Sequence, residues 1–212
     1  MSATASHPLL PPTVLVTGAA KRTGRELALL LAAQGWRVAV HYRDSVEEAR
    51  RTVADCARLT PGAQAFRGNL GNETAVRNLL PTVIEALGHV DAVLHCAATL
   101  ERDSAATFSF AAMEKHLRSN TGAAILLGQA LHQHMALRRQ RHGSASGVLV
   151  NWLDHKAADQ AADHLSYTLS RAALEAATAA LAEQLQPLVR VLGVHSAAQA
   201  ARAFAISPAN HA

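Results

Sequence analysis

An apolar run, Thr13-Val14-Leu15-Val16, breaks directly into Thr17-Gly18-Ala19-Ala20-Lys21-Arg22-Thr23-Gly24 and then into a helical pattern over 25–34. A strand, a glycine turn and a helix in that order aim backbone N–H groups and a positive helix end at one point, where a dinucleotide pyrophosphate can sit. Gly18 suits the tight turn out of the strand, and Gly24 lets the following helix pack close to the sheet. Arg22 stands where the usual fingerprint has its middle glycine. The glycine pattern alone is equally that of an ordinary strand-to-helix turn, so the residues that follow it decide the reading.

The second apolar run ends in His41-Tyr42-Arg43-Asp44-Ser45. At this point, roughly 20 residues past the glycines, a carboxylate binds the ribose of NAD, whereas an arginine accommodates the 2′-phosphate of NADP. Arg43 and Ser45 offer a charged fork and a hydroxyl, and Arg22 adds a second positive charge. Asp44 points either way. The alternative is a solvated loop whose charges have no ligand. The pattern favours NADP over NAD.

Strands are expected near 13–17, 36–42, 63–68, 90–96, 147–153 and 189–194, with helical periodicity between them. That alternation predicts an α/β fold, a Rossmann-type doubly wound parallel sheet of about six strands in the order 3-2-1-4-5-6. A chain of 212 residues suffices for one domain, expected over 13–212 behind a frayed arm at 1–12. With 4% aromatic residues, the core must be mostly Ala, Leu and Val. Cys56 and Cys96 are far apart and lack ligand spacing, which fits a reducing cytoplasm. No apolar stretch is long enough to span a membrane, and the opening residues lack the pattern of a secretory signal.

The net charge of +4 is dispersed, and no basic run is interleaved with aromatics, which argues against nucleic acid. The densest group, Arg138-Arg139-Gln140-Arg141-His142, ends an expected helix, where cations suit the dipole. His132 and His134 are two apart on a helix and share no face, so no metal site is expected.

Thr-Gly-Ala-Ala-Lys-Arg-x-Gly at 17–24 followed by His-Tyr at 41–42 resembles the pteridine reductase branch of the short-chain dehydrogenase/reductase family, which includes the bacterial dihydromonapterin reductases. The resemblance covers about 13–194. It implies NADPH as hydride donor, a small-molecule substrate and a homo-oligomer, dimer or tetramer. It also implies cofactor contacts at Gly18, Lys21, Arg22, Thr23, Gly24, His41, Arg43, Ser45, Asn69, Leu70, Cys96 and Ala97. Asn69 replaces a family aspartate; its amide oxygen can accept from an adenine amine, and it reads equally as a turn residue. Cys96 stands in place of an asparagine, Ala98 in place of a serine, and Leu100 in place of an aromatic that stacks on the pterin. Those changes remove a stacking contact and a hydrogen bond, which puts a pterin substrate in question.

The family's proton donor is a tyrosine, matched here by Tyr167 in Tyr167-Thr168-Leu169-Ser170-Arg171. A phenol, with an ordinary pKa of about 10, needs a nearby cation to ionise more readily. Arg171 lies four residues on, on the same helical face, in place of the family lysine. Arginine keeps the charge, but its planar fork is larger than an ammonium, so altered or impaired turnover is expected. Without the resemblance, the pair reads as a surface contact. Asp154, after Val150-Asn151-Trp152-Leu153, matches an aspartate of the pteridine reductases and is the expected acid partner, or else a cap. Asn120 matches the asparagine that bends the central helix and holds a relay water, or is a local helix irregularity.

Past the sixth strand the match stops at Leu192-Gly193-Val194-His195-Ser196-Ala197, without the family's substrate-covering helix and seventh strand. An open pocket and an unprotected strand edge are therefore expected. Two functions follow. One is an NADPH-dependent reductase with Tyr167, Arg171, Asp154 and Asn120 at its catalytic centre. The other is a catalytically degenerate NADPH-binding protein, a sensor or partner subunit, favoured by Cys96, Leu100 and Arg171.

Overall fold

The structure, a computed structural model, describes residues 11–153 and 163–205. Six strands, β1 (Thr13–Thr17), β2 (Arg37–Tyr42), β3 (Gln64–Arg67), β4 (Ala92–His95), β5 (Gly147–Trp152) and β6 (Val189–Val194), form one parallel sheet in the order β3-β2-β1-β4-β5-β6. The helices are α1 (Arg22–Ala33), α2 (Val46–Leu59), α3 (Glu73–Leu87), α4 (Phe110–His116), α5 (Ala123–His142), α6 (Leu165–Gln184) and α7 (Ala197–Ala205). This is the Rossmann-type α/β order expected from the sequence.

Alternate residues of each central strand feed opposite faces, the period of an extended chain. Val14, Val16, Val38, Val40, Leu94 and Val150 pack with α1, α2 and α7 on one side. Leu15, Ala39, Val93 and Leu149 pack with α3, α5 and α6 on the other. Burial on both faces explains why the central strands read as unbroken apolar runs. Trp36, just before β2, and Phe204 of α7 make an edge-to-face ring contact in this core, with centroids 5.5 Å apart. No helix among the described residues is long and apolar enough to cross a membrane.

The elements differ from expectation at their ends. Trp36 is still in the turn that closes α1, its N–H donating to Leu31 O at 3.1 Å, so β2 starts one residue later. The helical stretch between β4 and β5 begins at Phe110, where the Ser109 hydroxyl caps it by accepting from Ala112 N–H at 3.1 Å. It then passes through a wider π turn at Leu117–Gly122, in which Ala123 N–H reaches back to Arg118 O. It ends at His142, where Gly143 takes the left-handed conformation with φ of 80°. Part of the basic group that closes α5 is structural. Arg138 pairs with buried Asp91, which also accepts Thr13 N–H at 2.8 Å and lies 3.2 Å from His89. β3 and β6 are the sheet edges among the described residues, and α7 packs over one face of β6.

Candidate active site

The sheet order reverses between β1 and β4, and chains leaving the carboxyl ends of these strands diverge to opposite faces, which opens a crevice. A cleft of about 820 Å³ lies there. Its lining includes Gly18, Lys21, Arg22, Thr23, Gly24, His41, Arg43, Ser45, Asn69, Leu70, Cys96 and Ala97, together with Tyr167 and Arg171. Residues as far apart in the chain as Gly18 and Arg171 thus share one wall.

The turn after β1 is as tight as its glycines demand. Gly18 has φ of 66°, and a Cβ on it would come 2.8 Å from Ala97 Cα; a Cβ on Gly24 would come 2.3 Å from Gly18 O. The N-terminus of α1 opens into the cleft with no acidic residue in its first turn and no side-chain cap on its N–H groups. Its free donors and positive dipole end suit an anion. Arg22 carries φ of 54°, the left-handed conformation in a residue with a full side chain, and it is the single non-glycine case among the described residues. Arg43 is exposed and paired with Asp44 at 2.6 Å. Ser45 begins α2 without capping it. Asn69 acts as a turn residue, its Oδ1 accepting from Gly71 N–H at 3.0 Å, while still lining the cleft.

His41 lines the cleft although it is almost wholly buried. It is 2% exposed, its Nδ1 accepts from Gly18 N–H at 3.1 Å, and its Nε2 lies 3.2 Å from Gly68 O. Since the acceptor must be Nδ1, the proton sits on Nε2 and is donated to the Gly68 carbonyl. Burial lowers its pKa to about 4, which keeps the ring neutral and this pattern intact. His41 is therefore a strut between the β1 turn and the end of β3. Cys96 offers no thiolate, because burial pushes its pKa up to about 12, against a smaller opposing pull from Arg171.

At the other end of the cleft, Tyr167 is 4% exposed and Arg171 7%. The Arg171 guanidinium carbon lies 5.9 Å from the Tyr167 ring centroid, and an N–H of the guanidinium donates to Trp152 O at the end of β5. The arginine is thus a buried cation beside the phenol ring and is held by the sheet. Tyr167 is itself placed by Asp103, whose carboxylate accepts from Ser166 N–H at 2.9 Å and from the Ser166 hydroxyl at the start of α6. Asp103 caps this helix from 63 residues upstream. Nothing in the local sequence signals that tie.

Asn120 is placed behind the cleft wall, with no exposed surface. Its Oδ1 accepts Thr99 N–H at 2.6 Å, and its Nδ2 donates to Thr99 O at 3.0 Å and to Ser170 Oγ at 2.9 Å. Its carbonyl faces His95 Nε2 at 3.1 Å. These bonds hold the loop after β4 to α6. Asp154 lies outside the described residues. Among those residues no group of His, Cys, Asp or Glu could hold a metal ion.

The sequence profile of the short chain dehydrogenase family matches residues 12–205. The chain belongs to this family. It is 29% identical over 186 residues to a Streptomyces violaceoruber protein assigned as ketoacyl reductase 2 of granaticin polyketide synthase, covering 86% of this chain and 71% of that one. It is also 29% identical over 133 residues to L-rhamnose 1-dehydrogenase (NAD(P)(+)) of a Sphingomonas strain, covering 63% of this chain and 52% of the relative. Among solved structures, FolM alternative dihydrofolate reductase 1 from Brucella suis in complex with NADP superposes with a TM-score of 0.77 at 25% identity, over 87% of this chain and 74% of that one. This short-chain dehydrogenase thus resembles relatives with several substrates.

Proposed function

We propose that this short-chain dehydrogenase is an NADPH-dependent reductase of a small carbonyl or imine compound, a pterin among the candidates. The observation that carries the reading is the single cleft that joins the glycine turn and α1 N-terminus to Tyr167 and Arg171. The residues present fit the cofactor. The α1 N-terminus with Lys21 and Thr23 suits the pyrophosphate, and Arg22, Arg43 and Ser45 suit the 2′-phosphate. The exposed Arg43–Asp44 pair is worth about 0–1 kcal/mol, so a phosphate readily displaces the carboxylate. The FolM neighbour with NADP supports the same choice.

NADPH bound there supplies a hydride to the carbon of a C=O or C=N bond. Tyr167 gives its hydroxyl proton to the oxygen or nitrogen of that bond, leaving a phenolate. Arg171 stabilises this negative charge from beside the ring. Its tie to Trp152 O keeps the cation at the end of β5 while the charge develops. Asp154 is the acid partner in this scheme, and the assembly is a homo-oligomer.

Calorimetric titration with NADPH and NADH tests the cofactor half. Saturable binding with preference for NADPH is expected, and binding of neither defeats the proposal. A Tyr167→Phe variant tests the chemistry. Retained NADPH binding with lost turnover supports the reductase, whereas binding without turnover of any dihydropterin or carbonyl compound by the parent protein favours the degenerate alternative.

A further inference from the structure

We propose that His95 is a positioning residue that ties the cofactor turn to the helix carrying Tyr167, an inference that rests on the reductase reading for its catalytic consequence. His95 is fully buried at the end of β4 and does not line the cleft. Thr17, its register partner on β1, accepts two backbone N–H groups at its hydroxyl oxygen, from Cys96 and Ala97, both at 3.1 Å. Those two donors fill both lone pairs, so the single hydroxyl hydrogen is left for His95 Nδ1, 3.0 Å away. His95 Nδ1 is therefore an acceptor, and the ring proton sits on Nε2. That Nε2–H faces the Asn120 carbonyl at 3.1 Å, a group that only accepts.

The chain of bonds continues beyond the π turn. Asn120 Nδ2 donates to Ser170 Oγ at 2.9 Å, and the Ser170 hydroxyl donates to Tyr167 O at 2.7 Å. The other Nδ2 hydrogen of Asn120 goes to Thr99 O, so the donor and acceptor of each bond in this run are fixed from Thr17 to the Tyr167 backbone carbonyl. Burial supports it, since desolvation, reinforced by the Arg171 charge, lowers the His95 pKa to about 3 and keeps the ring neutral. A π turn is an unusual helix element that recurs at functional sites. Here the carbonyl of its Asn120 is the only anchor that His95 Nε2 has among the hydrogen bonds described, so the π turn and the ring position each other.

Two variants divide the ring's two jobs. His95→Asn keeps an acceptor near Nδ1 but is too short to reach Asn120, whereas His95→Gln reaches Asn120 with an N–H and gives up the Thr17 bond. The readouts are kcat, KM for NADPH, and amide hydrogen exchange at 117–122 measured without cofactor. H95N is expected to raise exchange in the π turn at least tenfold and to lower kcat at least tenfold, with KM for NADPH within twofold. H95Q is expected to restore both toward the parent protein. A purely structural role predicts a parallel loss of NADPH binding and kcat in both variants, which overturns the proposal, as does unchanged π-turn exchange in H95N. Should H95N not fold, Ser170→Ala cuts the same chain one bond later and must show the same split. A parent protein that binds no NADPH defeats the reductase reading, while the cofactor-free exchange data still decide whether His95 holds the π turn.

Discussion

Replacing Arg22 by glycine separates backbone strain from ligand binding at one residue. With φ of 54°, Arg22 bears a left-handed penalty of about 1–2 kcal/mol. Glycine removes that penalty and adds about 0.5–1 kcal/mol of unfolded-chain entropy, so the folded protein should gain between about 0 and 1.5 kcal/mol. The guanidinium is exposed at the cleft mouth, and a charge-assisted bond to a phosphate is worth about 1.5–3 kcal/mol, or about tenfold to a hundredfold in affinity. Arg22→Gly should therefore raise the urea midpoint slightly while NADPH binding weakens by that factor in calorimetry. Arg22→Ala, which keeps a Cβ at the same φ, should lose the affinity without gaining the stability. If NADH weakens equally, the contact is to the pyrophosphate; if NADPH alone weakens, it is to the 2′-phosphate. Unchanged NADPH affinity in both variants refutes the argument that the strain is maintained for binding.

Gly24→Ala should abolish cofactor binding and destabilise the fold by about 1–3 kcal/mol in thermal melts, because its Cβ would sit 2.3 Å from Gly18 O, against backbone atoms of Gly18 and Ala19. Tyr167→Phe should lower kcat by about 10²–10⁴ and leave the NADPH dissociation constant within twofold. Acid should weaken the fold through His41 and His95. Their pKa values fall from 6.5 to about 4 and about 3 on folding, so the unfolded chain binds more protons as pH drops. The stabilisation is complete above pH 6.5 and is lost through the window from there to about 4 and 3, on the order of 1 kcal/mol per pH unit for each ring. Urea titrations between pH 7.5 and 5 should show this slope, and His41→Asn should reduce it.

Much of the architecture was legible because its cause is local. Val14-Leu15-Val16 and Val38-Ala39-Val40 are apolar on both strand faces, which suits only the middle of a covered parallel sheet. The glycine-turn wall of the cleft was legible for the same reason, since Gly18 takes the positive φ of the turn and a Cβ on Gly24 would clash with Gly18 O within it, whereas the clash of a Gly18 Cβ with Ala97 needs the tertiary fold. The divergent positions were legible as divergence but not in their consequence. Arg171 as a replacement for lysine could be noted from the sequence, whereas its anchor on Trp152 O depends on β5 and α6 lying side by side.

The sequence by itself determined the elements, their order and the residues that face the cleft, because periodicity and turn chemistry act over a few residues. Only the tertiary structure decided what those residues bond to. Gly18 meets His41, Thr17 meets His95, Asp103 caps the Tyr167 helix, and Asn120 is closed behind the wall. Each of those bonds joins residues separated by 23 to 78 positions. A histidine's tautomer, or the partners of an asparagine's amide, are set by groups brought together only when the sheet forms. That is why the hydrogen bonds by which His41 and Asn120 brace the fold could not be read from the sequence.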